Sequence, residues 1–178
     1  ASIIHRAPRG LYERLQAEGF KVSKSARVKA SLFSSVPHIQ ADKVWGQLKD
    51  ASDRAVTGKD VRVGIIDTGV DYTHPDLGGC TTQQFLGNAC AKVAGGYDWV
   101  DGDNDPMDEH FHGTHVASIA AGNGALKGVA PDATLFALRV LDKDGSGSTA
   151  DIIRAIEWSM DPNGDDDLSD HLDVINLS

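Results

Sequence analysis

The chain has 178 residues, 40% of them hydrophobic, which is enough for one domain with a substantial core. Its net charge of −9 argues against nucleic acid as a partner, and no apolar run approaches the roughly 18 residues of a membrane span, so we expect no membrane partner either. The first residue is Ala rather than Met, which suggests that the sequence starts inside a longer precursor.

The basic side chains are concentrated at the start of the chain. Residues 1–34 carry seven Lys and Arg against two Glu, whereas the rest of the chain carries 10 basic and 24 acidic side chains. Opposite charges on two parts of one chain favour their mutual attraction. The alternative is a chance clustering of charges on solvated faces. The change of sign near Ser34 and Ser35 indicates a domain boundary.

The basic part and the residues after it predict short elements. Residues 9–19 have a partial apolar stripe and end at Gly19, which predicts a helix. Residues 20–33 alternate loosely between apolar and polar side chains, as a half-exposed strand does. A helix is predicted around 41–49, after Pro37.

From Val61 onward, apolar strands alternate with helices. Strands are predicted over 61–67, 133–141 and 173–178, helices over 112–122 and 148–160, and acidic loops over 101–109 and 161–170. Ser148 or Thr149 is the expected N-cap of the last helix. The strand–helix–strand–helix–strand order predicts an α/β fold in which helices flank a parallel sheet.

The two cysteines bracket a polar segment, TTQQFLGNA. One pair, Cys80 and Cys90, closing a short loop fits a disulfide in a secreted protein. Two unrelated free thiols are the alternative. A zinc site is disfavoured because no His accompanies the pair at metal-ligand spacing.

Asp67 and His112 are the strongest candidates for chemistry. Asp67 ends an apolar strand, and ligands of parallel sheets bind beyond the carboxyl ends of the strands, although an Asp at this position is equally suited to capping a turn. His112 begins a helix, where the helix dipole disfavours the protonated ring. A nearby carboxylate would orient the ring and stabilise the imidazolium formed during turnover. The two together suit general-base catalysis.

The segment HFHGTH raises a metal-binding alternative. His112 and His115 are three residues apart, so both fit one helical face. However, no Glu lies between them and the spacing is one residue shorter than that of HExxH. We therefore expect His115 to be a packed, hydrogen-bonded helix residue and His110 to lie in the preceding loop.

Several segments, in their order along the chain, resemble the subtilisin-like serine proteases: VGIIDTGVDYTHPDL, HGTHVASIAAG, GVAPDATLFALRVLDKDGSGS and DVINLS. The resemblance covers about residues 36 to 178 and implies the subtilisin-like α/β fold. It also implies a serine endopeptidase in which Asp67 and His112 are the Asp and His of an Asp–His–Ser triad.

The resemblance also implies a substrate site for an extended peptide or protein. Gly145, Ser146 and Gly147 match an edge strand that pairs with the substrate backbone, and Leu141, shortly before them, is assigned to the same site. Without the resemblance, an ordinary Gly/Ser turn is the simpler interpretation. Ser178 matches the start of a strand that lines the other side of the specificity pocket, and it is not the nucleophile.

The resemblance further divides the chain into two regions. Residues 1–34 are similar to the C-terminal part of the inhibitory pro-segment, here a small α+β remnant that docks on the catalytic domain, and residues 35–178 to the N-terminal part of that domain. We therefore expect a zymogen that is secreted. An unrelated N-terminal extension is the alternative.

The serine nucleophile of the family is missing from these residues. Neither the GTSxA segment that carries it nor the Asn of the oxyanion hole occurs in the sequence. We therefore expect an N-terminal fragment of the enzyme that hydrolyses no peptides by itself. The alternative is a non-catalytic binding or regulatory protein built on a truncated protease scaffold.

Calcium is the one cofactor that the sequence suggests, as a structural ion that the chemistry does not require. The resemblance implies Ca²⁺ at Asp76, although GNGALK is shorter than the partner loop of the family. Separately, oxygen ligands alternate as at the start of a calcium loop, at Asp161, Asn163, Asp165 and Asp167. The usual Gly and Glu of such a loop are absent, and a solvated acidic loop is the alternative.

The acidic run DGDNDPMDEHF, just before His112, suggests a preference for Lys or Arg in the substrate. The alternative is a solvated acidic face, which is the usual role of such runs.

Overall fold

The computed structural model describes residues 10–20 and 32–178, and the chain divides into two compact units, Ala1–Ala30 and Ser31–Ser178. The described part of the first unit contains helix α1, Leu11–Ala17, within the helix predicted over 9–19. The strand predicted over 20–33 falls mainly on residues 21–31, outside the described residues. The division into a pro-segment and a catalytic domain stays a prediction.

Besides two short 3₁₀ helices, Pro75–Leu77 and Leu168–Asp170, the described part of the second unit contains five α-helices and four strands. These are α2 (Leu32–His38), α3 (Ala41–Gln47), β1 (Arg62–Asp67), α4 (Thr82–Leu86), β2 (Val93–Asp98), α5 (His112–Ala121), β3 (Thr134–Arg139), α6 (Thr149–Trp158) and β4 (Val174–Leu177). The three predicted strands and the helices at α3, α5 and α6 are confirmed. Ser148 is the N-cap of α6, and its side chain accepts a hydrogen bond from Asp151 N. No helix in the described ranges has the length and hydropathy that a membrane span requires.

The sequence did not predict three of these elements, α2, α4 and β2. Strand β2 has the sequence VAGGYD, and its two glycines weaken the β-branched pattern by which strands are recognised. Helix α4 begins within the segment expected to be a loop. Its N-cap Thr81 accepts a hydrogen bond from Gln84 N, while the Gln84 side chain accepts one from Thr81 N, which is a capping box.

The four strands form one parallel sheet in the order β2-β3-β1-β4. Asp67, the last residue of β1, lies beside Arg139 at the end of β3, and Arg139 lies beside Asp98 at the end of β2. On the other side, Ile66 is paired with Leu177 of β4. The carboxyl ends of all four strands therefore meet at one edge of the sheet.

Helices cover both faces of the sheet. On one face, the fully buried Ala117 and Ala121 of α5 pack in the same cluster as Ile65 of β1 and Leu135 of β3. On the other face, Ala155 of α6 packs with Ile66, Leu138 and Val140. This arrangement is the predicted α/β fold, a parallel sheet with flanking helices, and it brings the start of α5 to the carboxyl edge.

Candidate active site

Asp67 and His112 meet at the carboxyl edge of the sheet, although 45 residues separate them in sequence. The Oδ1 atom of Asp67 lies 2.7 Å from Nδ1 of His112 and accepts a hydrogen bond of the same length from Thr68 N. The Asp67 side chain is fully buried, whereas 42% of the His112 side chain is exposed. A buried carboxylate can only accept, so in the neutral ring the proton lies on Nδ1 and Nε2 is left as a base.

Two glycines allow this close approach of α5 to the end of β1. A Cβ atom on Gly113 would overlap the carbonyl oxygen of Gly69. Gly69 itself has a φ of 105°, in the region that favours glycine, and a Cβ there would lie 2.6 Å from the Pro106 carbonyl oxygen. Positions 69 and 113 must therefore be glycine for α5 to approach β1 closely enough that Asp67 and His112 touch.

Asp108 is a site residue that the sequence analysis missed. Its Oδ1 atom accepts hydrogen bonds from the Thr68 hydroxyl (2.9 Å) and from the backbone N–H groups of His110 (2.8 Å) and Phe111 (2.9 Å). Its Oδ2 atom accepts from both the backbone N–H and the hydroxyl of Thr114. Burial acts to raise the pKa of Asp108, but the hydrogen bonds from Thr114, His110 and Phe111 outweigh it and hold the pKa below its usual value.

Arg139 is the centre of a second charged cluster, at the end of β3 beside Asp67. Its Nη1 atom lies 2.6 Å from Oδ2 of Asp98 and 2.8 Å from Oδ2 of Asp101, and its Nη2 atom lies 2.6 Å from Oε2 of Glu109. The side chains of Arg139 and Asp98 are 4% and 1% exposed, while those of Asp101 and Glu109 are more than half exposed. Three acidic side chains of the segment 98–109 therefore surround one buried guanidinium.

The other two histidines have different surroundings. The ring of His110 stacks on Phe111 with centroids 4.6 Å apart and lies 6.5 Å from the ring of His112. His115 is exposed, so the expectation of a packed residue was wrong; Ala117 and Ala121 face the sheet instead. Within the two described ranges, no group of three or more His, Cys, Asp or Glu side chains is arranged to hold a metal ion.

The structure gathers the predicted substrate residues at the same edge. Leu141 follows β3, and its N–H donates to the backbone carbonyl of Asp67. A tight turn over 142–146 follows, closed by a bridge between Leu141 and Gly147. A Cβ on Gly145 would lie 3.6 Å from Nε2 of His110, so this turn lies next to the histidine segment. Ser178 follows β4 at the carboxyl edge, and its hydroxyl donates to Asn176.

The predicted disulfide between Cys80 and Cys90 is present in the structure. The bridged segment contains α4, whose Phe85 stacks on the buried ring of Tyr72 with centroids 4.2 Å apart. The disulfide and this stacked pair hold the segment between β1 and β2 against the core.

The candidate calcium ligands at Asp76 are engaged by the protein. The Oδ1 atom of Asp76 accepts a hydrogen bond from Ala125 N (2.7 Å) and its Oδ2 atom one from Leu126 N (3.3 Å). The short loop after α5 therefore reaches the carboxylate with its own N–H groups. Each carboxylate oxygen keeps a second lone pair, and Ca²⁺ binding at Asp76 stays a prediction.

The alternate acidic residues after α6 form an exposed, self-contained loop. Asp161 accepts hydrogen bonds from the N–H groups of Gly164, Asp165 and Asp166. The side chains of Asn163, Asp165 and Asp167 each accept one from a backbone N–H two residues further on. The carboxylates thus serve as turn caps, and Ca²⁺ binding by this loop stays a prediction.

Comparison with known proteins adds an independent finding. Residues 58–178 match the Subtilase family. The chain is 38% identical over 175 residues to the Minor extracellular protease Vpr of Bacillus subtilis (strain 168), which covers 93% of this chain and 18% of that protein. It is 43% identical over 141 residues to the Thermophilic serine proteinase of Bacillus sp. (strain AK1), which covers 77% of this chain and 28% of that protein.

Among solved structures, the chain is similar to a cold adapted subtilisin-like serine proteinase, with a TM-score of 0.49 and 31% identity over 67% of this chain and 40% of that one. The chain spans less than a third of the length of the two curated relatives named above.

Proposed function

The chain belongs to the subtilase family, and on this basis we propose that it is part of a serine endopeptidase that cleaves extended peptides or proteins through an Asp–His–Ser triad. Asp67 and His112 are the Asp and His, and the Ser comes from sequence outside these 178 residues. The observation that carries the proposal is the 2.7 Å contact between a buried carboxylate and a histidine whose side chain is 42% exposed.

The proposed chemistry follows from this contact. Nε2 of His112 takes the proton from the serine hydroxyl while the serine oxygen attacks the carbonyl carbon of the substrate. The imidazolium that forms is stabilised by Asp67. It then gives its proton to the nitrogen of the departing amine, so that the ring returns to its starting state when the peptide bond has broken.

The substrate chain, in this proposal, lies along the turn that follows β3. Both backbone groups of Ser146 are engaged within the turn, since its N–H donates to the Asp142 side chain and its carbonyl accepts from Asp142 N. The Gly145 N–H also donates within the turn, to the Asp142 carbonyl. Backbone pairing with substrate therefore uses the carbonyl of Gly145 and the backbone of Gly147. Leu141 and Ser178 line the site on either side of Asp67.

The remaining parts of the proposal concern location and maturation. We place the protein outside the cell, supported by the disulfide and by the word "extracellular" in the name of one relative. The basic residues 1–34 act as the end of a pro-segment that docks on the acidic catalytic part. Without its serine, the chain of 178 residues alone hydrolyses no peptides.

The test uses the full-length protein, obtained by reading its coding sequence beyond Ser178. We expect hydrolysis of a peptide substrate that a serine-directed phosphonate blocks, and a fall in kcat of about 10⁴-fold for Asp67→Asn. Asp60→Asn, an exposed Asp in the turn before β1 that pairs with Arg54, is the matched control and keeps full activity. A stop codon after Ser178, or activity that survives Asp67→Asn, would reject the proposal; the former leaves the non-catalytic scaffold.

A further inference from the structure

Asp108 contacts both elements that carry the Asp67–His112 pair. Thr68 directly follows Asp67 at the end of β1, and its hydroxyl donates to Asp108. The same hydroxyl accepts a hydrogen bond of 2.9 Å from the backbone N–H of Gly113, which directly follows His112. One threonine hydroxyl, oriented by Asp108, thus joins the residue after Asp67 to the residue after His112.

Asp108 also replaces the missing N-cap of helix α5. Phe111 occupies the N-cap position with a φ of 93° and its side chain caps no N–H group. The Asp108 carboxylate instead accepts from Phe111 N and from Thr114 N in the first turn. A negative charge at this end of a helix is stabilising, so the carboxylate fixes where the helix, and therefore His112, begins.

The neighbouring residue secures the segment from the other side. Glu109 bonds to the buried Arg139, which lies beside Asp67 in the sheet register. The segment before α5 is therefore attached to β1 through Thr68 and to β3 through Arg139. Asp108 makes the first of these attachments and its neighbour Glu109 makes the second, so the position of Asp108 is fixed from both sides.

From these contacts we propose that Asp108 is a positioning residue for the Asp67–His112 pair, acting through Thr68 and through the first turn of α5. Through these contacts it sets the distance and angle between the carboxylate and the imidazole. The role rests on the proposed protease function, because its consequence is a change in the rate of the proton transfer that His112 performs.

The experiment compares variants of the full-length protein. Asp108→Asn keeps the size of the side chain but loses its charge and one acceptor oxygen. Since a displacement of about 1 Å can cost about 100-fold in rate, we expect kcat to fall by about 10- to 100-fold with KM changed less than about twofold. Asp103→Asn, an exposed Asp in the same acidic run, removes the same charge and is expected to leave kcat unchanged.

A second pair of variants tests the connection through the Thr68 hydroxyl without changing any charge. Thr68→Val has nearly the same shape but no hydroxyl, and we expect kcat to fall by about tenfold. Thr68→Ser restores the hydroxyl and is expected to stay within about twofold of wild type. These two variants decide the question if Asp108→Asn fails to fold.

A spectroscopic measurement separates this proposal from the proposed function. The Nδ1–H proton of His112, hydrogen-bonded to Asp67, gives a strongly deshielded NMR signal, expected to be sharp in wild type and Asp103→Asn and weakened in Asp108→Asn and Thr68→Val. If wild type shows no inhibitor-sensitive hydrolysis, the proposed function fails and this signal still tests the positioning role. Unchanged kcat and an unchanged signal in both Asp108→Asn and Thr68→Val would overturn it, as would equal losses in Thr68→Ser and Thr68→Val.

Discussion

Two acidic segments of the chain look alike in sequence and differ in structure. In the segment 98–109, acidic side chains bond to a buried guanidinium and to the first turn of α5. In the segment 161–167, the carboxylates and the Asn163 amide accept hydrogen bonds from N–H groups of their own loop or of the residues directly after it. The first segment therefore connects the ends of β1 and β3 to the start of α5, whereas the hydrogen bonds of the second segment stabilise only its own loop.

This difference decides what each run of charge can do. Asp98, Asp101 and Glu109 are already paired with Arg139, and Asp108 is held by Thr68 and Thr114. These contacts provide partners within the protein for charges that the sequence suggested were available to basic substrates. The preference for Lys or Arg stays a hypothesis, but the segment has a structural role without it.

The largest effect should come from removing the centre of the first segment. Arg139→Met leaves Asp98, whose side chain is 1% exposed, without its cation. We expect the free energy of unfolding to fall by about 3–5 kcal/mol, because the loss of one partner leaves an uncompensated buried charge. Urea unfolding of the full-length protein, blocked by a serine-directed inhibitor against self-digestion, measures this.

The matched control is an ion pair on the surface of α6 whose arginine is exposed. Arg154 bonds to Asp151 at 2.8 Å, with 63% of the Arg154 side chain exposed. Arg154→Met should change the free energy of unfolding by less than about 1 kcal/mol. If Arg139→Met and Arg154→Met lowered the free energy of unfolding by equal amounts, burial of the ion pair would not determine its contribution to stability.

The sequence allowed the prediction of those parts of the site that depend on local pattern. Asp67 ends an apolar strand, and His112 begins a run of small residues. The first therefore marked the carboxyl end of a strand and the second the start of a helix. Parallel strands then imply that the two meet at one edge. The same pattern, together with the family resemblance, gave the α/β class.

The supporting residues could not be predicted because their partners are distant in sequence. Arg139 and Asp98 are 41 residues apart, and Thr68 and Asp108 are 40 apart. The pairing of Arg139 with Asp98 depends on the position of β2 beside β3, and the glycines of β2 concealed that strand. A missing capping side chain at Phe111, just before the predicted helix, was the one signal in the sequence that pointed to an external cap such as Asp108.

A smaller effect, about 1 kcal/mol, is expected from the pH dependence of Asp108. Because its pKa in the folded protein is below the usual value, its contribution to stability is present above the ordinary carboxyl pKa and is lost as the pH falls toward the folded pKa. The difference in free energy of unfolding between wild type and Asp108→Asn should therefore be largest near pH 6 and shrink below about pH 4.

The comparison for this measurement is Asp165→Asn, in the exposed second segment. We expect its effect on stability to stay within about 0.5 kcal/mol. A wild-type advantage over Asp108→Asn that is constant from pH 6 to pH 3 would contradict the assignment of Asp108 as the charged cap.

The smallest effect should follow the addition or removal of calcium. A site that binds Ca²⁺ in the folded state would stabilise the protein by about 2.7 kcal/mol at a concentration 100 times its dissociation constant, enough to raise the melting temperature by several degrees. At Asp76 and Asp161, however, the carboxylates already accept hydrogen bonds from backbone N–H groups, which leaves them fewer lone pairs for a cation. We therefore expect melting temperatures in Ca²⁺ and in EGTA to agree within about 1 °C, with Mg²⁺ as the control for ionic strength. A rise of several degrees in Ca²⁺ alone that Asp161→Asn abolishes would mean that the second segment also has a partner, one that is an ion and not a side chain.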